Sequence, residues 1–342
     1  MKGCWFKLRI WEFIETEQGS LASPDDSFEG TDRERAVALG YFDGVHAGHR
    51  ILLEKLCYLA RKRNLTASVH TFSSLPKSKN GNGEGESLLL TTLSERYHFF
   101  ERIGLDEAVV FPFSPSVSDI SAEDFLNIWL RDTLHARVVV AGEDYRFGKD
   151  RSGDISLLRK WGEENHVEVV SITPLSYKGQ IISSSWIRDC MRDGKIQTAN
   201  ALLGYPVSYR GNVAEGKKLG RTLGFPTANI ECEAGKLLPA FGVYASVLYA
   251  NARCYPAVTN IGFRPTVNPE DDKPMIETTI LDQQVDLYGQ HIRVFLFSYI
   301  RPEKRFDSVA ELREQVHKDM AEVRHYHEVH ANDYSILLAG VI

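Results

Sequence analysis

At 342 residues the chain is long enough for two domains, each with its own core. Hydrophobic residues make up 43% and charged residues 25%, an ordinary balance for a folded chain, which excludes global disorder. The formal net charge of −6 argues against general affinity for nucleic acid or anionic membranes, so a bound nucleotide is expected to be a small molecule in a local site.

The five cysteines (4, 57, 190, 232 and 254) are scattered and lack metal-ligand spacing, which predicts free thiols in a reducing cytoplasm. Only three residues precede Cys4, with no apolar signal region, so lipidation there is not expected. No uncharged apolar run is long enough to span a bilayer.

In chain order, residues 1–35 are mixed, and the polar stretch from Glu15 to Arg35 reads as a loop. Short apolar or β-branched runs follow near 36–39, 67–72, 108–111, 137–141 and 167–172. Helical segments are predicted between them at 50–62, 92–103, 121–134 and 154–165, with Ser121-Ala-Glu-Asp124 as a capping box. This alternation predicts an α/β domain with a parallel sheet and helices on both faces, whose ligands bind beyond the carboxyl ends of the strands. The informative loops are therefore 40–49, 142–151 and 183–188. Lys77 to Ser87 is a glycine-rich low-complexity loop.

The most informative stretch is Leu39-Gly-Tyr-Phe-Asp-Gly-Val-His-Ala-Gly-His-Arg50, between a strand and a helix with Leu52, Leu56, Leu59 and Ala60 on one face. A helix start presents free backbone N–H groups and a positive dipole end, which suits phosphates. Gly44 and Gly48 allow close backbone approach, and His46 and His49 can donate to charge growing on a leaving pyrophosphate.

Residues 186–204 read as one linking helix between a first domain, 1–185, and a second, 205–342. Extended runs follow at 207–213, 243–249, 254–261, 276–281 and 292–298, and Phe306-Asp-Ser opens a helix bearing Val309, Leu312, Val316 and Met320. Antiparallel strands with a terminal helix predict a small closed barrel. In Gly216-Lys-Lys-Leu-Gly-Arg-Thr-Leu-Gly-Phe-Pro-Thr-Ala-Asn229, glycines at 216, 220 and 224 let a loop wrap phosphates, while Lys217 and Arg221 supply charge. Thr227 and Asn229 are two apart, so in an extended segment their oxygens share a side, an arrangement suited to Mg²⁺.

His-x-Gly-His in this setting resembles the nucleotidyltransferase motif, and the longer string Gly40–His49 resembles the prokaryotic bifunctional riboflavin kinase/FAD synthetases. Gly142-Glu-Asp-Tyr-Arg-Phe-Gly148, Ser183-Ser-Ser-Trp-Ile-Arg188 and Leu203-Gly-Tyr-Pro206 resemble further motifs of that family, with Tyr145 and Tyr205 as departures. The glycine-rich loop to Asn229 resembles its flavokinase motif. Leu238-Pro-Ala-Phe-Gly-Val-Tyr244, Pro256–Thr266, Asp286-Leu-Tyr-Gly289 and Arg301-Pro-Glu-Lys-Arg-Phe-Asp-Ser308 also match its barrel.

The resemblance implies a Rossmann-like nucleotidyltransferase domain plus a flavokinase barrel, converting riboflavin to FMN and FMN to FAD with ATP and Mg²⁺. By it, His46, His49 and Arg188 serve adenylyl transfer, and Glu277 is the base that accepts the riboflavin hydroxyl proton as ATP phosphorylates it. Gly40, Phe42, Asp43, Gly44, Gly48, Ser184 and Ser185 hold ATP in the first domain; Gly216, Lys217, Gly220, Arg221, Gly224, Pro226 and Thr227 do so in the second. Asp144, Phe147, Arg301 and Phe306 contact flavin, and Thr227 and Asn229 hold the metal. The expected partners are riboflavin, FMN, FAD and ATP, without nucleic acid or membrane; a weak homo-oligomer is compatible with this.

One departure separates the readings. The family usually has Phe-x-Pro-His-Pro after its second strand, whereas this chain has Phe72-Ser-Ser-Leu-Pro76, with Leu75 in place of the histidine. That motivates a rival, a flavokinase with a weakened adenylyl half. A non-catalytic flavin-binding regulator is a second rival, opposed by His46, His49, Asn229 and Glu277. A cytidylyltransferase is a third, disfavoured by the flavokinase-like second half.

Overall fold

Arg35–Leu39 (Arg-Ala-Val-Ala-Leu) is buried at every residue, as a parallel strand covered on both faces must be. The computed structural model describes residues 7–16, 21–22, 28, 33–74, 88–214, 226–231, 233–263, 274–283 and 285–339. Leu75, Gly216, Lys217, Gly220, Arg221, Gly224, Cys4 and Cys232 lie outside the described residues. The chain divides into two compact units, Met1–Ile182 and Ser183–Ile342.

The first unit is a six-stranded parallel sheet. Its strands are β1 (Arg9–Glu12), β2 (Arg35–Leu39), β3 (Thr66–Phe72), β4 (Glu107–Phe111), β5 (Ala136–Gly142) and β6 (Glu168–Ile172), in the order β1-β4-β3-β2-β5-β6. Helices α1 (Ala47–Arg63), α2 (Leu93–Ile103) and α3 (Ile155–Asn165) fall within a few residues of their predicted bounds. Asn64 and Gly104 stop α1 and α2 in left-handed conformations (φ 55° and 95°). One core joins Val37, Leu39, Val109 and Val139 of the sheet to Leu130, Leu158 and Trp161.

Two features differ from the sequence reading. The leader contributes the edge strand β1, in register with β4 from Arg9↔Glu107 to Glu12↔Val110. A buried cluster fixes it: Trp11 Nε1 donates to Glu107 at 3.1 Å, and Arg35 pairs with the same carboxylate. The segment predicted as a helix over 121–134 begins with Ser121 accepting the Asp124 N–H at 3.0 Å, then widens into a π-helix over Phe125–Thr133.

The second unit opens with two helices instead of the single linking helix expected. These are α4 (Ser184–Arg192) and α5 (Ile196–Leu203), separated at Gly194, whose φ of 72° ends the first. Asn200 ties α5 to the barrel, donating to the Leu296 carbonyl and accepting the Val207 N–H, both at 2.8 Å.

The barrel strands are β7 (Ser208–Ala214), β8 (Ala228–Glu231), β9 (Gly242–Ala250), β10 (Arg253–Phe263), β11 (Pro274–Ile280) and β12 (His291–Pro302). They close in the order β7-β8-β11-β10-β9-β12, every pair antiparallel. Closure leaves no edge strand to pair with another chain. β8 is the strand that the extended runs did not mark separately. The terminal helix α6 (Val309–Ala339) seats Val323 against Ala245 and Leu281, with Met320 and Tyr326 beside them. Val309, read as part of that apolar face, is 63% exposed.

Candidate active sites

In the first unit, β2 ends at Leu39 and the chain turns sharply before α1. Phe42, Gly44 and Val45 have φ of 58°, 79° and 36°, so three residues of this turn are left-handed. Gly40 has a packing reason: a side chain there would press within 2.9 Å of the Phe42 ring. Phe42 is buried and lies edge-on to His49, centroids 5.2 Å apart.

His46 caps α1, its Nδ1 accepting the His49 N–H at 3.3 Å. That bond assigns the neutral tautomer in which Nε2 carries the proton, so Nε2 is a donor. The two imidazoles stack with centroids 3.6 Å apart and planes at 16°. Burial, reinforced by the nearby Arg50 charge, lowers the His46 pKa to about 4. Burial and then the neighbouring His46 push His49 well below its ordinary value, and its Nδ1 is buried without a hydrogen-bond partner. Both rings are therefore neutral at pH 7. Gly48 lies beside the His46 ring, which a Cβ there would meet at 3.4 Å, an ordinary contact.

Asp43, expected at the phosphates, has another task in the structure. It is 2% exposed, and its carboxylate accepts the Leu90 and Thr91 N–H groups at 3.0–3.1 Å. It anchors the turn to the chain ahead of α2. Phe147 is buried in the core beside Phe125 and Tyr145, and Asp144 is exposed on the same loop. Ser183 caps α4, accepting the Trp186 N–H at 3.2 Å. Ser184, Ser185 and Arg188 follow on that helix, which belongs to the second unit.

In the barrel, Asn229 of β8 stands directly opposite Glu277 of β11, and Glu277 is opposite Asn260 of β10. Directly paired residues point to one face, so these three polar side chains share a row. Asn229 is 6% exposed, and its Oδ1 is buried without a hydrogen-bond partner among the described residues. A buried amide oxygen without a donor is costly, and a hard divalent cation would satisfy it. Thr227 and Pro226, just before β8, line a pocket with Thr278, Leu287 and Tyr288.

Arg301 and Phe306, expected at the flavin, meet as a cation over a ring at 5.9 Å. The Arg301 fork is held by Asp319 of α6 through bonds of 2.8 and 2.7 Å, and its third nitrogen donates to the Pro302 carbonyl. It thus anchors its loop to α6. Sequence reasoning missed two contributors. Asn260 lies within a quoted motif, but only the strand register reveals its place opposite Glu277. Glu303 hydrogen-bonds to Asn260, and burial raises its carboxyl pKa.

Comparison with known proteins matches these two constructions separately. The FAD synthetase family profile matches residues 29–186, and the riboflavin kinase profile matches residues 203–327. The bifunctional riboflavin kinase/FMN adenylyltransferase of Escherichia coli K12 is 37% identical over 291 residues, covering 85% of this chain and 92% of that protein. The protein of that name from Bacillus subtilis is 31% identical over 307 residues, covering 90% and 96%. A crystal structure described as a macrolide-efflux protein from Streptococcus pneumoniae superposes with a TM-score of 0.79 at 30% identity, covering 93% of this chain and 99% of that one. Efflux is said of that protein alone; among the described residues here, no helix is long and apolar enough to cross a membrane. The chain belongs to the bifunctional riboflavin kinase/FMN adenylyltransferase family.

Proposed function

We propose that the barrel phosphorylates riboflavin to FMN and that the His46–His49 turn serves adenylyl transfer from ATP to FMN, giving FAD and pyrophosphate. The observation that carries the reading is the barrel register, which sets Asn229, with its unpartnered buried Oδ1, opposite Glu277.

In the barrel, the Glu277 carboxylate accepts the proton of the ribityl 5′-hydroxyl as that oxygen attacks the γ-phosphorus of ATP. Thr227 and Asn229 would hold Mg²⁺, which when bound neutralises charge on the phosphate oxygens. Pro226 and, by the motif, Gly216, Lys217, Gly220, Arg221 and Gly224 would bind the ATP phosphates. Phe306 flanks the flavin, and Arg301 acts through Asp319 to hold the flavin loop in place.

In the first unit, an FMN phosphate oxygen attacks the α-phosphorus of ATP, and the bond to the bridging oxygen breaks. His46 donates from Nε2–H to the departing pyrophosphate, and His49 supports it from the stacked position. Phe42, Gly40 and Gly44 shape the turn, and Gly48 lies beside the His46 ring at the helix start. On α4, in the second unit, Ser184, Ser185 and Arg188 offer hydroxyls and a guanidinium fork suited to phosphate. Asp144 and Phe147 belong to the flavin side. Positioning and charge stabilisation dominate, because phosphoryl chemistry asks little covalent work of the protein. The substrates are small molecules, and the expected compartment is the cytoplasm.

Incubating the purified chain with riboflavin, ATP and Mg²⁺ and separating the flavins tests this. FMN followed by FAD is expected. FMN without FAD would favour the weakened adenylyl half, and unchanged riboflavin would overturn the kinase assignment.

A further inference from the structure

The turn bearing His46 and His49 is held in a conformation that its own residues resist. Phe42 and the β-branched Val45 are left-handed (φ 58° and 36°), a region that side chains with a Cβ disfavour. Such backbone persists only where its surroundings over-determine it, and it concentrates at functional sites.

The constraint comes from one short segment, residues 90–96, at the start of α2. Thr91 is 4% exposed; its Oγ1 accepts the Gly44 N–H at 2.8 Å and donates toward Asp43 Oδ1 at 3.3 Å. The backbone N–H groups of Leu90 and Thr91 donate to the Asp43 carboxylate. Arg96 is fully buried, and its Nη1 donates to the Tyr41 carbonyl at 3.0 Å, the Phe72 carbonyl at 2.8 Å and Thr71 Oγ1 at 3.2 Å. The turn is therefore gripped at Tyr41, Asp43 and Gly44, immediately before His46.

The segment that grips is itself rigid. Thr92 and Glu95 form a reciprocal capping box at 3.3 and 3.0 Å. Arg96 also lies over the Tyr41 ring at 4.9 Å, while its Nε and Nη2 are buried without hydrogen-bond partners. Burying a cation with three of its five N–H donors unmatched is costly. Its observed connections tie the turn to the end of β3, at the sheet edge where ligands bind.

We infer that Thr91 and Arg96 are positioning residues of adenylyl transfer: with Asp43 they lock the left-handed turn so that the stacked His46 and His49 rings are preset for the leaving pyrophosphate. This rests on reading His46 as a donor in that step. Neither residue touches substrate. Both act through the backbone that orients the imidazoles, where small displacements carry large rate penalties.

Thr91→Val, nearly isosteric, removes the hydroxyl, and Thr91→Ser restores it. In the full-length protein, Thr91→Val is expected to lower kcat for FAD formation from FMN about 10- to 100-fold, with KM for FMN and ATP within about twofold. Thr91→Ser should keep most of the parental rate, and Arg96→Lys, which keeps the charge but not the fork, only part of it. Riboflavin phosphorylation should match the parent in all of them. Because Thr91 acts through the two imidazoles, adding Thr91→Val to His46→Ala/His49→Ala should slow FAD formation no further. Parental kcat in Thr91→Val, a further loss in the triple variant, or loss of the N-terminal melting transition in Thr91→Val would each overturn the inference. If His46→Ala itself makes FAD at the parental rate, the reading of the turn fails; if His46→Ala is slow and Thr91→Val is normal, only the present inference fails.

Discussion

His46 and His49 stack with ring centroids 3.6 Å apart, and the Nδ1 of the first accepts the backbone N–H of the second. One imidazole thus does the work usually given to a Ser or Asp cap, and in doing so keeps its proton on Nε2. In this chain the three-residue spacing puts His46 at the N-cap and His49 at the third helical position, the two positions that one hydrogen bond joins.

The N-terminal unit should lose stability on acidification. His46 and His70 are each lowered by burial to about 4 from 6.5, and His49 is lowered too. The unfolded chain then binds protons between about pH 6.5 and 4 that the folded unit does not. Stability is fully present above 6.5 and falls as pH drops through that window. His70 is 1% exposed among Phe72, Phe111 and Phe125, with both ring nitrogens unpartnered. His70→Leu loses no hydrogen bond and removes one of the three titrations. Melts from pH 7 to 5 should show a smaller decline in His70→Leu; identical declines would contradict the assignment.

Glu107 is completely buried, accepting from Arg35 and Trp11 with Arg9 at 3.6 Å. Glu107→Ala leaves the Arg35 charge, 1% exposed, without its acid, and a loss of about 3–5 kcal/mol is expected. Denaturant unfolding followed by the tryptophan signal measures it. A loss below about 1 kcal/mol would mean that water reaches the site and that the pair does not hold β1.

Asn229→Ala removes the oxygen assigned to the metal. Riboflavin phosphorylation should fall, with the Mg²⁺ concentration needed for half-maximal rate raised about tenfold or more. Titration of kinase rate against Mg²⁺ at fixed ATP measures this. An unchanged midpoint with a normal rate would make Asn229 structural.

Much of the fold was legible because its signals are local. The apolar runs at 36–39 and 108–111 lie inside strands Arg35–Leu39 and Glu107–Phe111, buried on both faces. β1 was not legible: Arg-Ile-Trp-Glu is too short to mark a strand, and what recruits it is Glu107, nearly a hundred residues away. The break at Gly194 could have been found, since Asp193-Gly194 is an ordinary helix stop. Of the sites, the histidine spacing and Thr-Ala-Asn were legible as motifs. The row of Asn229, Glu277 and Asn260 needed the strand register, and Asp43 as an anchor needed its partners Leu90 and Thr91.

The central claim is that each activity resides in its own unit, and paired variants given each flavin separately test it most directly. Glu277→Gln should lose riboflavin phosphorylation by about 10²-fold or more yet adenylylate supplied FMN at the parental rate. His46→Ala/His49→Ala should make FMN from riboflavin at the parental rate and almost no FAD, since losing even one such donor costs about 10²-fold. Separating riboflavin, FMN and FAD after timed incubation with ATP and Mg²⁺ reads both. Loss of both activities in either variant, with the melt unchanged, or FAD formation at the normal rate by the histidine variant, would contradict the account.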